Sequence, residues 1–354
     1  MFVEHAVGLG ASYAFSRRVA RTRARNFYYS FVLLSREQRD AMCAVYAFMR
    51  YCDDLSDEPG ANRTAIEQWR GALDEALAGR CDAHPVLPAF HDTVIRYRIP
   101  PRYFHDMIDG VASDLEPRGF ATFDELYRYC YQVASTAGLT TIHIFGFDSD
   151  DALPLAEKCG IAFQLTNILR DIREDAERGR IYLPAEDLAR FGVTEDDIRG
   201  GLRTPEFIDL MDFEAARARQ YYNESQPLLG LIDPRSRASL AALISIYSRL
   251  LDRIERSNYD VFRPHLVARR GEMLDRGESA VAPARSNGIS RIPPMTGHLP
   301  LAHTRRSSNR SSRWPASRCA ARHCRPRPGP CGSRPAGSCP RIKAHRARMH
   351  ALRR

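Results

Sequence analysis

From about residue 12 to residue 260, apolar residues recur at steps of three and four, the spacing that lines one face of an α-helix. Alternation of period two, the mark of a half-buried strand, persists nowhere. Ser35-Arg36-Glu37-Gln38 reads as a capping box that opens a long helix, with Met42, Val45 and Met49 as its apolar stripe. Pro100-Pro101 starts another helix. Thr122-Phe123-Asp124-Glu125 is a second capping box, before one helix running to about Phe145. Asp150 to about Asp175 reads as a long helix, ended near Arg178-Gly179-Arg180; two more patterns run from Thr204 to Ser225 and from Pro234 to Asn258. No repeat of 20–50 residues is present, which removes a helical solenoid. The pattern predicts a single all-α bundle.

The character changes after about Pro264. Residues 291–354 hold 16 Lys+Arg, nine Pro and much Ser, with no Asp or Glu and no apolar periodicity. Such a stretch buries too little surface to offset its chain entropy, so the expected layout is an extension at 1–11, a helical domain at 12–264 and a basic, disordered tail at 265–354. The same mix of Arg, Pro, Ser, Cys and His is what a shifted reading frame in GC-rich DNA writes. The tail's four cysteines, Cys319, Cys324, Cys331 and Cys339, include no C-x-x-C pair, which argues against a metal knuckle. The +9 net charge of the chain is all tail: the first 290 residues carry 36 Lys+Arg against 43 Asp+Glu, a net −7. An acidic body gives no reason to expect a nucleic-acid partner.

Five body cysteines, an odd number mostly set in apolar helical pattern, point to reduced thiols and a cytoplasmic location. No run approaches 18 uninterrupted apolar residues, and Glu4 and His5 stand where a signal peptide needs an apolar run.

Candidate chemistry comes from two polar stripes. In Arg50-Tyr51-Cys52-Asp53-Asp54-Leu55-Ser56-Asp57-Glu58, Asp53 and Asp57 stack one helical turn apart, and Tyr46 and Arg50 extend their face. Like charges at i,i+4 weaken a helix by a few tenths of a kcal/mol, and acids near a helix C-terminus oppose the macrodipole, so a cation is the natural reason for them. Gly160, Gln164, Asn167, Asp171 and Asp175 form a second stripe at steps of four, three, four and four. Two helices that each offer two carboxylates suit Mg²⁺, which takes a few carboxylates and completes its octahedron with water and phosphate oxygens. The expected arrangement is two acidic walls around a metal-bridged diphosphate, whose neutralised charge lets an allylic C–O bond ionise.

Asp53-Asp54-Leu55-Ser56-Asp57, Tyr129-Cys130-Tyr131-Gln132-Val133-Ala134, and Gln164-Leu165-Thr166-Asn167-Ile168-Leu169-Arg170-Asp171 through Arg180-Ile181-Tyr182-Leu183-Pro184 together resemble the squalene/phytoene synthases. The resemblance spans roughly residues 12–263. It implies the all-α isoprenoid-synthase fold around a central cavity, and the head-to-head joining of two prenyl diphosphates, farnesyl or geranylgeranyl, through a cyclopropylcarbinyl diphosphate. Mg²⁺ is the implied metal, with Mn²⁺ as a substitute, and NADPH is implied only for a squalene product.

By the same resemblance, Asp53, Asp57, Asp171 and Asp175 hold the metal and diphosphate. Gln164 and Asn167 line that site, Asn167 through its amide oxygen. Arg50 and Arg180 hold diphosphate oxygens, and Tyr129 faces the reacting carbons. Tyr259 matches a late family tyrosine near the diphosphates, and Phe27 and Phe31 lie beside the allylic cation. Val133, Ala134 and Gly138 make room for a prenyl chain. Where the family places Ser-Lys-Ser this chain reads Ala24-Arg25-Asn26, in which Arg25 and Asn26 retain a cation and a polar donor. Lipid substrates imply peripheral membrane contact and a desaturase or cyclase downstream.

Three other readings compete for the same residues. A di-iron bundle needs Glu-x-x-His pairs, and no body histidine has an acid three residues before it. Asp148-Ser149-Asp150-Asp151 matches a D-x-D-D acid motif but precedes a helix, where acids serve as caps. A non-catalytic scaffold whose basic tail contacts lipid or RNA leaves the second stripe without purpose.

Overall fold

The computed structural model describes residues 7–24, 28, 30–57, 61–115 and 119–263. The expectations for Arg25, Asn26, Phe27 and the basic tail lie outside the described residues. For Asp57 only the helical backbone is described.

The described chain is helical, with no β-strand. In order, the helices are α1 (Leu9–Arg23), α2 (Arg36–Asp57), α3 (Arg63–Leu77), α4 (Leu87–Arg96), α5 (Arg102–Ser113) and α6 (Phe123–Cys130). A π-helical segment (Tyr131–Ser135) leads into α7 (Thr136–Phe145), then α8 (Ala152–Glu177), α9 (Ala185–Phe191), α10 (Glu195–Arg199), α11 (Pro205–Ser225), α12 (Leu228–Leu231) and α13 (Arg237–Arg256). The fold is the all-α helical fold that the pattern predicts.

Several boundaries follow from local chemistry. Ser35 Oγ accepts from the Gln38 amide N–H at 3.2 Å and so caps α2. The Gln38 side chain does not turn back to the Ser35 backbone as a capping box would. Its amide instead donates to Ile144 O and to Ser236 Oγ, at 3.1 and 3.0 Å, tying the start of α2 to the end of α7 and the start of α13. Thr204 caps α11 through its hydroxyl, and α8 stops where Gly179 adopts a left-handed φ of 76°. Asp151, expected to cap α8 with its side chain, makes no such bond; its carboxylate accepts from Ser149 Oγ at 3.0 Å.

The single helix predicted from Thr122 to Phe145 is interrupted by the π turn at Tyr131–Ser135. Its neighbours show why the extra residue is accommodated. A Cβ on Gly160 of α8 would lie 2.5 Å from Ser135 Cα, and a Cβ on Gly110 of α5 would lie 2.8 Å from Val133 Cγ1. The widened turn is clasped between two glycines, with Ser135 Oγ donating to Glu157 O at 2.8 Å. No periodicity of side chains signals such a backbone event.

Two apolar cores result. One gathers α1, α2, α4, α5 and α7 around Phe48, Phe90 and Phe104. The other gathers α6, the second half of α8, α11 and α13 around Leu169, Phe207 and Leu251. The π segment packs against both α5 and α8, and α7 against both α2 and α8, so they join the halves. Within the second half, Arg217 of α11 bridges two buried carboxylates, Asp187 and Glu214, each at 2.8 Å, while its guanidinium lies 4.1 Å over the Phe123 ring. Burial pushes the Glu214 carboxyl up to about 7, with Arg217 opposing and Asp187 reinforcing the shift.

Two stability tests follow. Gly160→Ala forces backbone apart and should cost at least roughly 1–3 kcal/mol, the usual range for overpacking. Gly71→Ala, with nothing within 4 Å of the new Cβ, should instead gain up to about 1 kcal/mol from helix propensity. Urea unfolding of both variants checks the contrast. For Glu214, a folded-state value of about 7 lies above the ordinary carboxyl value of 4.5, so the proton it holds stabilises the fold at low pH and the stabilisation is lost as pH rises through 7. The wild-type melting temperature should therefore fall relative to Glu214→Gln between pH 5 and 8. A gap independent of pH would refute this.

Candidate active site

α8 carries its polar stripe as predicted on one side and its apolar residues, Leu165, Ile168, Leu169 and Ile172, on the other. Gln164 Oε1 accepts from Asn167 Nδ2 at 3.3 Å. That bond turns Asn167 Oδ1 away, and this oxygen is buried with no partner. Asp171 is held by its neighbour Arg170, whose Nε donates to Oδ1 at 2.6 Å and whose Nη2 reaches Oδ2. Asp175, one turn on, has its carboxyl pushed up to about 7, chiefly by burial and then by the charge of Asp171, against the pull of Arg178 and Arg180. Asp175 shares a cleft with Arg180, Tyr182, Ile168 and Ile198.

Tyr129, at the end of α6, is buried and donates to both oxygens of Asp114, at 3.0 and 3.1 Å. Tyr182 donates to the same carboxylate at 3.0 Å, and Arg180 Nη2 donates to the Asp114 backbone carbonyl at 3.2 Å. Asp114, Arg180 and Tyr182 line a cavity of about 380 Å³ together with Arg63, Phe120 and Arg199. Tyr129, Arg180 and Asp175 are thus brought into one neighbourhood, joined by two residues that motif reading did not single out, Asp114 and Tyr182.

On α2, Arg50 pairs with Asp54 one turn away, while its Nε is buried without a partner. Tyr46 lies among the charges of Arg50, Asp53 and Asp54, and burial pushes its phenol up to about 12. Tyr46, Arg50 and Asp53 are therefore neighbours on one face. Among the described residues no three His, Cys, Asp or Glu side chains close on one point.

Several residues expected at the substrate sit in packed contacts or apart from the α8 stripe. Phe31 is fully buried in the first core. Gly138 serves helix packing, since a Cβ there would lie 3.2 Å from Ala156 O of α8; Val133 likewise packs on Gly110, while Ala134 is half-buried in the π turn. Tyr259 stands apart from the α8 stripe. Its hydroxyl donates to Asp212 at 2.7 Å, and it lines a separate groove of about 710 Å³ with Arg219 and Glu255, which no residue of the α8 stripe lines. The left-handed backbone at Asn258 and Tyr259, with φ of 52° and 59°, turns the ring that way. Beside the stripe stands Tyr247 of α13, buried, stacked on Phe163 at 4.2 Å and hydrogen-bonded to Asn167. Its place on the helical face one step from the apolar residues was the only sequence signal for it.

The residues of α8 fit a hard divalent cation. An unpartnered buried amide oxygen lies on one helical face with two carboxylates, of which Asp175 holds its proton to about pH 7 because of burial and the neighbouring charge of Asp171.

The chain matches the squalene/phytoene synthase family over residues 20–272. It is 36% identical over 274 residues to 15-cis-phytoene synthase of Synechococcus elongatus, covering 72% of this chain and 87% of that protein. It is also 36% identical over 277 residues to the chloroplastic phytoene synthase 1 of Zea mays, covering 75% of this chain and 67% of that protein. The chain spans 62% of the chloroplastic phytoene synthase 1 of Arabidopsis thaliana, over 267 residues of 36% identity that cover 72% of this chain. Among solved structures, a dehydrosqualene synthase in complex with ligand aligns with a TM-score of 0.69 at 30% identity, covering 72% of this chain and 90% of that one. Squalene synthase from Alicyclobacillus acidocaldarius aligns with a TM-score of 0.67 at 30% identity, covering 71% and 95%. This chain belongs to the squalene/phytoene synthase family, a family of prenyltransferases. No described helix is long and apolar enough to cross a membrane.

Asp171→Asn and Asp175→Asn should each leave the apo fold at least as stable as wild type, because each removes like charge from α8. Thermal melting at pH 8 checks this, and a clear drop in either variant would mean that the carboxylate holds the structure together.

Proposed function

We propose that the protein condenses two prenyl diphosphates head to head through a cyclopropylcarbinyl diphosphate, closing to a phytoene-type hydrocarbon by loss of a proton. The observation that carries this reading is the α8 stripe, with its buried, unpartnered Asn167 oxygen beside Asp171 and Asp175. A non-catalytic scaffold would have no use for that orphaned oxygen, whose burial costs about 1–3 kcal/mol. Asn167, Asp171 and Asp175, with Asp53 and Asp57 of α2, would hold Mg²⁺ or Mn²⁺. When bound, such an ion supplies the positive charge that favours departure of diphosphate.

The chain's own residues account for the remaining steps. Arg180 and Arg50 offer guanidinium forks that match diphosphate oxygens and keep the leaving group oriented. Gln164 fixes the Asn167 amide so that its oxygen points to the site. Tyr129, buried and keeping its proton, stays a neutral phenol beside the carbocation rather than a nucleophile that would trap it. The apolar cores on either side exclude water, which would otherwise quench the cation as an alcohol.

A geranylgeranyl substrate is supported by the phytoene synthases among the relatives. Closure by proton loss needs no NADPH, whereas a squalene product would. Hydrocarbon substrates and products exchange with a bilayer, so peripheral membrane contact belongs to the same proposal. The Arg-rich tail would add about 1 kcal/mol per basic residue near an anionic surface, and a desaturase or cyclase would take the product onward.

Two experiments test it. Incubation with geranylgeranyl or farnesyl diphosphate and Mg²⁺, with mass spectrometry of the products, should give a C40 or C30 hydrocarbon that is lost with Asp171→Asn or Asp175→Asn; wild-type turnover by either variant would sink the assignment. Vesicles containing phosphatidylserine should bind the full chain at low salt and release it at high salt, and should bind far less of a chain ending at residue 290. Equal binding by the two chains would remove the tail from the membrane reading.

A further inference from the structure

Tyr129 reaches the rest of the protein through one carboxylate. Its hydroxyl donates to Asp114 at 3.0 and 3.1 Å and lies 3.3 Å from the hydroxyl of Tyr182. Tyr182 donates to Asp114 Oδ1 at 3.0 Å, and its ring stacks on that of Tyr129 at 5.2 Å. The backbone of Asp114 is held in turn by Arg180. Tyr129 is only 6% exposed. Asp114 and Tyr182 are half-buried, and both open onto the 380 Å³ cavity. The network is sealed at its inner end and reaches water at its outer end.

A phenol so placed makes a poor base by itself. Burial first, and then the charge of Asp114, hold its proton on, so phenolate is not a resting form. A phenol can still relay a proton, because an oxygen whose hydrogen is committed to a carboxylate presents only lone pairs elsewhere.

Resting on the condensation reading above, we infer that Asp114 is the terminal proton acceptor of the closing step, reached through Tyr129, and that Tyr182 is the positioning residue that keeps Asp114 in place. In that step a C–H bond beside the carbocation breaks, and its electron pair becomes the new C=C bond. The proton passes to the Tyr129 oxygen as the phenolic proton passes to Asp114. The phenol is regenerated, Asp114 becomes a carboxylic acid, and it returns to carboxylate by giving the proton to water in the cavity. No oxidant, reductant or further co-reactant enters.

The test compares wild type, Asp114→Asn, Asp114→Glu and Tyr182→Phe with geranylgeranyl diphosphate and Mg²⁺. It reads first diphosphate release, the product spectrum, the solvent deuterium isotope effect and circular dichroism. Asp114→Asn should still release the first diphosphate but should form hydrocarbon roughly 100-fold more slowly, the low end of what a positioned base contributes. Cyclopropylcarbinyl diphosphate or a water-quenched alcohol should accumulate in its place. Asp114→Glu should restore part of the hydrocarbon, and Tyr182→Phe should shift the product spectrum in the same direction by a smaller factor. The solvent isotope effect on closure should shrink in Asp114→Asn. Hydrocarbon at the wild-type rate from Asp114→Asn would overturn the inference, as would equal loss of the first diphosphate release and of the hydrocarbon, which marks a structural role. A wild-type chain that releases diphosphate but couples neither prenyl diphosphate would instead bring down the condensation reading itself.

Discussion

The contact on which most of the site depends is steric, the approach of α8 to the backbone of Ser135 at Gly160. Any side chain at Gly160 would drive α8 away from the π segment. Tyr129 lies just before that segment, and the Gln164–Asp175 stripe lies just after Gly160 on α8. Gly110 performs the same service from α5, admitting Val133 where a Cβ would collide. Interiors are packed too tightly to absorb such collisions locally, so a shift at either glycine would be passed to the phenol and to the carboxylates together. The π turn is what this close approach accommodates. One extra residue re-aims the helix between Tyr129 and Thr136, and it leaves Ser135 anchored to Glu157 O.

Around that frame the charges of α8 are arranged at a cost. Asp171 and Asp175 sit one turn apart, and the proton of Asp175 is held to about pH 7 by burial and by its neighbour. Arg170 binds Asp171 and Arg180 faces Asp175, yet Asn167 Oδ1 keeps no partner. The Glu214–Asp187–Arg217 cluster shows what the protein does where no ligand is expected. There two carboxylates are given a guanidinium between them, backed by an aromatic ring. The α8 stripe leaves that closure incomplete at Asn167, whose buried oxygen has no donor.

Much of this was legible in the sequence. Helical periodicity gave the all-α architecture and, to within a few residues, the limits of the long helices α8, α11 and α13, because apolar faces obey a geometry that spacing records. The α8 stripe was legible for the same reason, since every member lies on one helix. Asp114 was not, because it follows the end of α5 and meets Tyr129 and Tyr182 only through tertiary packing. Tyr259 and Tyr247 show the limit from the other side. Both are tyrosines near the end of the helical body, and only the left-handed turn at Asn258 sends Tyr259 to Asp212 while Tyr247 stays beside Asn167. Gln38 likewise obeys its capping rule in sequence and then spends its amide on two other helices.

The division of labour among the carboxylates has a chemical logic. A carboxylate that neutralises a cation shared with departing diphosphate makes a poor proton acceptor in the same turnover, because the charge that draws a proton is already engaged. Proton loss therefore calls for a second acid away from the stripe. Asp114 meets that requirement, being carried by a different element and held by two phenols and the Arg180 side chain rather than by α8. Its connection to the stripe runs through the loop after α8, where Arg180 touches the Asp114 backbone and Tyr182 its side chain, one and three residues beyond the Arg178–Gly179 turn that ends the helix. The loop thus couples the element that would hold diphosphate to the one that would take the proton. A displacement of Arg180 as diphosphate leaves would be felt at Asp114, so on this proposal proton loss would follow departure of the leaving group.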